Sequence, residues 1–206
     1  MAPPPVPTGS VVRRLRQVHG ATAVVVGDPT GASGLSRGPS PATPLIEEGD
    51  ALVSGDEATV LAVLTADCAP VALGSPEGAR AAVHVGWRGL GAGVVAAAAA
   101  AMRGLGAQKI VAGIGPTIGP CCYEFSPADL DVLCVAFGEA ARATSRRGRP
   151  SLDLPGAVGA ALLAAGVDLV VDFATCTACS AEYFSHRARG EEQRQAMFVW
   201  RVGAAR

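Results

Sequence analysis

"TVLAVLTADCAPVALGSPEGARAAVHVGWRGL", residues 59–90, decides how the chain is read. It holds three apolar runs, 59–67, 70–75 and 79–87, joined by tight connections. Runs this short and this rich in Val, Ala and Leu predict strands, most of them buried on both faces. The first run ends in Asp67 and Cys68, the third in His84, Trp87 and Arg88. Reactive groups at strand ends are held by a rigid scaffold and face a crevice.

Working outward, "GAGVVAAAAAAMR" (91–103) predicts a helix, because Ala has the highest helix propensity. Gly91 and Gly93 near its start permit close backbone approach. Residues 109–115 return as a strand, and "GPTIGPCC" follows as a rigid Gly/Pro loop. A helix is predicted over 126–141, with Ser126 as N-cap and Pro127 at its first position. Another spans 152–166 and ends at Gly166. Strands over 167–175 and 196–202 close the sheet. Upstream, 11–19, 22–27 and 50–54 read as strands, and 28–49 as a long polar loop of Pro, Gly and Ser. The expected organisation is a flexible tail over 1–10 and a single catalytic domain over 11–206. Its class is α/β (α+β), a sheet covered by helices.

The chain has 206 residues, enough for a substantial core. Half are hydrophobic but only 4% aromatic, so small aliphatic side chains must fill the interior. A net charge of −1 offers no basic stripe for nucleic acid. No apolar stretch is long enough to span a bilayer, and residues 1–10 lack the charged start and apolar core of a secretory leader. A cytoplasmic protein is expected. Its six cysteines are then reduced, and serve as packing, metal ligands or nucleophiles.

Cys68, His84 and His19 (in "QVHG") are the candidates for chemistry. One sulfur and two imidazole nitrogens suit Zn²⁺, with a fourth position left for water. The same residues suit a Cys–His nucleophile pair, or buried structural roles. Trp87 offers a ring to stack on and Arg88 a fork for phosphate. Against that, Trp87 reads as core and Arg88 as the partner of Asp67 or Asp50. Cys176 and Cys179 form a CxxC, but no second CxxC exists. Cys121 and Cys122 are adjacent, poor spacing for one tetrahedral metal, so these read as ordinary buried thiols. Cys134 reads as core. Residues 113–125 lack a Walker lysine, and their glycines instead let a ligand approach backbone N–H groups. Ser185, His186 and Arg187 read as polar surface or a pocket wall.

Taken together, "QVHG", "DALVS", "LTADCAPV", "AAVHVGWRGL", "GIGPTIGPCCYEF", "CTACSAEYFSHR" and the terminal "FVW" resemble the YfiH-type laccase-domain family. Its members are also called polyphenol oxidases and, more recently, purine nucleoside phosphorylases. The resemblance runs from about Arg13 to Arg201. It implies a three-layer α/β/α fold with a mixed sheet, similar to toxin deamidase-like cysteine hydrolases. It implies zinc, with copper as the other candidate, on His19, Cys68 and His84.

The implied activities are phosphorolysis of adenosine, inosine, guanosine and methylthioadenosine, and deamination of adenosine. The partners are then a purine nucleoside and phosphate, taken by a monomer or homodimer. Asp67 is expected to shuttle a proton. Arg88, Gly115 and Gly119 are expected to hold phosphate, and Trp87 to border the base. A metal-free cysteine hydrolase and a peptidoglycan-precursor editing factor are the alternatives. Copper-dependent phenol oxidation ranks low, since one Cys and three His give too few ligands for several coppers. The chain departs from the family pattern in three places, one of them the 28–49 loop, which is longer and richer in Pro and Ser than expected. Eighteen residues precede His19, where several tens are usual, and Ala188 stands where a second Arg is common.

Overall fold

The computed structural model describes residues 9–27 and 47–202. The expected tail, apart from Gly9 and Ser10, and most of the 28–49 loop lie outside the described residues. Strands β1 (Val11–Arg13) and β2 (Ala23–Val25) precede four strands in close succession. These are β3 (Ala51–Ser54), β4 (Thr59–Thr65), β5 (Ala69–Gly74) and β6 (Arg80–Val85). Helices α1 (Trp87–Gly91) and α2 (Val94–Gly104), strand β7 (Val111–Ile114) and helix α3 (Pro127–Phe137) follow. Then come the hairpin β8 (Arg142–Thr144) and β9 (Pro150–Leu152), helix α4 (Leu154–Ala164) and strand β10 (Asp168–Asp172). The one-turn α5 (His186–Arg189) and strand β11 (Gln195–Val199) complete the described elements.

Six strands form a mixed sheet in the order β10-β7-β5-β6-β3-β2. β7 with β10 and β2 with β3 run parallel, and the inner pairs run antiparallel. Helices α2 and α4 lie on one face of this sheet. A three-stranded sheet, β1-β4-β11, packs against β5 and β6. The fold is therefore mixed α/β in layers, and the described layer opposite the helices is made of strands. The reason is local. The links 55–58 and 66–68 around β4 are too short to hold a helix, so β4 itself crosses over as the covering layer.

Between the helices and the large sheet lies the main core. β3 and β6 are buried along their whole length, as expected of strands covered on both faces. On α2, Val94, Val95, Ala98, Ala99 and Met102 recur at helical spacing and are buried. The Ala residues let the helix sit close to the sheet, and Met102 fills the gap that remains. Removing Met102 beyond Cβ would cost about 2–5 kcal/mol. Helix α3 is capped as predicted, with Ser126 Oγ accepting from Asp129 N, and Asp153 caps α4 in the same way. Both helices carry Pro in the first turn.

Three elements differ from the sequence reading. The strand expected over 11–19 stops at Arg13, because the N–H groups of Val18, His19 and Gly20 turn to the Asp50 carboxylate. The strand expected through Trp87 stops at Val85, and Trp87 opens α1 instead. The helix expected over 126–141 ends at Phe137 and gives way to a 3-10 turn over Gly138–Ala141, and β9 takes Leu152 from the start of the helix expected over 152–166.

Candidate active site

Cys68 immediately precedes β5, and His84 lies in β6 opposite Pro70. The antiparallel register therefore carries both to the same end of the sheet. His19 comes in from the segment after β1, in a left-handed conformation with φ 58°. That conformation is uncommon without glycine. The Asp50 carboxylate holds it by accepting from Val18 N (3.3 Å), His19 N (2.9 Å) and Gly20 N (2.7 Å). Asp50 also lies 2.8 Å from His84 Nδ1, so one buried carboxylate orients both imidazoles. The rings of His19 and His84 meet edge to face, their centroids 4.8 Å apart. One donor atom from each of His19, Cys68 and His84 lies within 4.8 Å of the others.

Two glycines make this convergence possible. A Cβ on Gly86 would stand 2.8 Å from His19 Cδ2 and 3.1 Å from Cys68 Sγ. A Cβ on Gly89 would stand 2.8 Å from Gly20 O. The glycines of "HVGWRG" thus leave the volume that the His19 turn and the thiol occupy.

The electrostatics favour an ionised pair. Burial opposes charge on Cys68, but hydrogen bonds from His19 and His84 outweigh it and draw the thiol down to about 7. Burial likewise opposes charge on His84, yet the Asp50 and Cys68 hydrogen bonds raise it to about 9. Asp50 is held below the usual carboxylate range, since His84 and the Gly20 N–H outweigh its burial. With Nδ1 engaged by Asp50, His84 has Nε2 left for a ligand, the usual arrangement for a metal-binding imidazole. Sulfur with two imidazole nitrogens fits zinc or copper as donors.

The three residues open on a cavity of about 600 Å³. Gln17, Thr65, Asp67, Tyr123, His186, Arg187 and Arg194 also line it. Thr65 Oγ1 is buried without a hydrogen-bond partner among the described residues. Tyr123 is pushed up to about 12, chiefly by burial and then by the charge on Cys68, so its phenol stays protonated. Asp67 has φ 92° and a buried carboxylate. Its Oδ1 accepts from Thr177 Oγ1 (2.7 Å) and its Oδ2 from Arg187 N (2.6 Å). Its carbonyl accepts from Thr117 Oγ1 (2.6 Å) and Ile118 N (2.9 Å). Thr177 and Arg187 therefore fasten Asp67, and through it Cys68, to the opposite wall.

The other expected site residues sit elsewhere. Trp87 packs edge to face on Phe125, with ring centroids 5.3 Å apart, and does not line this cavity. The Arg88 guanidinium stacks on the Trp87 ring at 4.5 Å, rather than pairing with Asp67 or Asp50. Gly115 lines a separate apolar cavity, where a Cβ would stand 2.9 Å from Pro70 Cγ. Gly119 abuts Cys176. Sequence reasoning missed Gln17, Tyr123 and Arg194, and it missed the bond from Asp50 to His84. The nearest signal was "DALVS", an acidic residue at the mouth of a buried strand.

The cysteines read as ordinary buried thiols are gathered too. Donor sulfurs of Cys121, Cys122, Cys176 and Cys179 all lie within 4.8 Å of one another. Cys134 packs against the core as expected.

Layered α/β architecture and a sulfur–nitrogen donor set at strand ends define the class, an α/β protein with a metal-competent thiol site. The chain belongs to the multi-copper polyphenol oxidoreductase laccase family, whose model matches residues 6–202. It is 41% identical over 189 residues to a purine nucleoside phosphorylase of Streptomyces coelicolor, covering 90% of this chain and 73% of that one. A purine nucleoside phosphorylase of Mycobacterium tuberculosis is 33% identical over 195 residues, covering 93% and 73%. Among solved structures, YlmD from Geobacillus stearothermophilus is similar with a TM-score of 0.74 and 30% identity, covering 92% and 73%. The Neisseria meningitidis protein NMB0706 gives a TM-score of 0.76 at 29% identity, covering 95% and 76%.

Proposed function

We propose that this chain is a purine nucleoside phosphorylase that also deaminates adenosine, working in the cavity above His19, Cys68 and His84. The observation that carries the reading is the convergence of those three donors at the cavity floor, backed by Asp50. The relatives named as purine nucleoside phosphorylases support the reaction class. A cavity of about 600 Å³ suits a nucleoside with phosphate beside it.

His19, Cys68 and His84 would hold zinc, which when bound supplies Lewis acidity. Asp50 fixes the His84 ring through Nδ1. Arg187, Arg194 and His186 line the cavity, and they take the phosphate role first expected of Arg88, Gly115 and Gly119. Tyr123, rather than Trp87, borders the base and offers a protonated phenol. In phosphorolysis a phosphate oxygen bonds to C1′ of the ribose as the bond from C1′ to the purine nitrogen breaks. The base leaves with the bonding pair and takes a proton. In deamination water adds at C6 of adenosine and ammonia leaves, giving inosine. Asp67, with both oxygens engaged, serves to position Cys68.

The test is to assay Cys68→Ala and His84→Ala for phosphate-dependent base release and for inosine formation. Folded variants with unchanged rates would remove this site from the reaction. A second reading, a metal-free cysteine hydrolase, is favoured by the thiol drawn to about 7 beside an imidazole raised to about 9. Turnover that survives chelation but is abolished by iodoacetamide would select it.

A further inference from the structure

We propose that Cys121, Cys122, Cys176 and Cys179 form a second metal site, a four-sulfur zinc centre that fastens together the loops after β7 and β10. The topology brings these loops together. β7 and β10 are parallel neighbours, so the chain leaves both strands at the same end of the sheet. The two loops are then stitched backbone to backbone. Thr117 N donates to Thr175 O (3.1 Å), and Thr177 N donates to Thr117 O (3.0 Å).

Each loop turns its sulfurs to one point. The Gly119–Cys122 turn is closed by Cys122 N donating to Gly119 O (3.0 Å). It lets adjacent cysteines face the same side, which an extended strand would forbid. In the other loop Cys179 N and Ser180 N both donate to Cys176 O (3.1 Å each). Gly119 N points at Cys176 Sγ from 3.2 Å, a donor suited to a thiolate. Gly119 has little room for a side chain, since a Cβ there would stand 3.3 Å from Cys176 Cβ and 3.5 Å from Cys121 Sγ.

The spacing matches the ion. Tetrahedral zinc with Zn–S bonds of about 2.3 Å sets its sulfurs roughly 3.8 Å apart. The Cys121 and Cys122 sulfurs lie 3.6 and 3.4 Å from that of Cys179, and all four fall within 4.8 Å. Four sulfurs with no open position make a closed, structural site. The cysteines are free thiols, so every donor is available. Thr177, between two of the proposed ligands, donates to Asp67 beside Cys68. The second ion would thus hold the wall that positions the first site.

The experiment measures zinc in the full chain, purified without chelator, for the wild type, Cys176→Ser/Cys179→Ser and Cys68→Ala/His84→Ala. The expected result is that the Cys176/Cys179 variant carries about one zinc per chain less than the wild type. Substituting cobalt(II) into Cys68→Ala/His84→Ala keeps the test independent of the first site. Sulfur-to-cobalt charge-transfer absorption should persist there and vanish when Cys121→Ser and Cys122→Ser are added. Equal zinc in the wild type and a folded Cys176/Cys179 variant would overturn the proposal. So would a disulfide among the four cysteines in the freshly purified chain, or the absence of that absorption in folded Cys68→Ala/His84→Ala.

Discussion

Two clusters of soft donors lie at the same end of one sheet, and they are built differently. His19, Cys68 and His84 mix sulfur with nitrogen, come from three distant segments and open on a cavity. The four cysteines offer sulfur alone and come from two loops already bonded to each other. Around a zinc ion, three donors facing space would leave a position for chemistry, whereas four sulfurs would close the shell. A buried carboxylate, Asp50, backs the first cluster, while a backbone N–H, that of Gly119, backs the second. On the proposed readings, the difference teaches that donor number and the space beside it would separate a reacting site from a fastening one.

The sharpest way to break this comparison is to remove ligands from each side. Cys68→Ala should lower phosphorolysis by more than about 100-fold, since losing an outer partner of a ligand alone costs about 10–100-fold. Its melting temperature should change far less than that of Cys176→Ser/Cys179→Ser. A four-cysteine variant that loses activity with no loss of thermal stability would reverse the roles. Next in size is Asp50→Asn, which should reduce activity and metal affinity by about 10–100-fold, read by steady-state kinetics and a zinc competition titration.

Glycine substitutions give smaller effects that differ between the clusters. Gly86→Ala forces a methyl against His19 and Cys68, and should cost about 1–3 kcal/mol in urea unfolding. Gly119→Ala meets Cys176 and Cys121 at longer range, so its cost should be lower. Equal costs would remove the steric distinction between them.

The smallest effect concerns acid. The Ser185 N–H, followed by Arg189, holds Glu191 below the usual carboxylate range. A depressed carboxyl contributes stability above its unfolded value of about 4.3, and that contribution fades as pH falls through the folded value. The 185–191 turn should therefore keep its amide protection at about pH 6 and lose it on acidification below about 4.3. Glu191→Gln should abolish that acid-dependent step in hydrogen exchange.

The layered frame was legible because short-range physics wrote it. The Val and Ala runs of β3 to β6, the Ala-rich α2 and the Ser126-Pro127 start of α3 each declare themselves within a few residues. His19, Cys68 and His84 stood out in the sequence as candidates for chemistry, and the fold brings their donor atoms within 4.8 Å of one another. Their common backing was not legible, since Asp50 reaches His84 across thirty-four positions. The four-cysteine cluster escapes a linear reading for a similar reason. Adjacent cysteines look unsuited to one ion when the chain is imagined as extended, and only the parallel pairing of β7 with β10 reveals that their loops share an exit. Trp87 reads from the sequence as core or as a ring beside the base, and in the fold it packs against the core and pairs with Phe125.

Asp67 has a bearing on how the molecule is made. Its main-chain twist is secured by Thr117 and Ile118, and its side chain by Thr177 and the amide of Arg187. A growing polypeptide presents its N-terminal portion first. Asp67 and Cys68 emerge well before Thr177 and Arg187, which lie 110 and 120 positions beyond Asp67. During that interval the thiol next to Asp67 would be on display to oxidants and stray cations, and maturation of the site would hinge on the segment that carries Thr177 and Arg187.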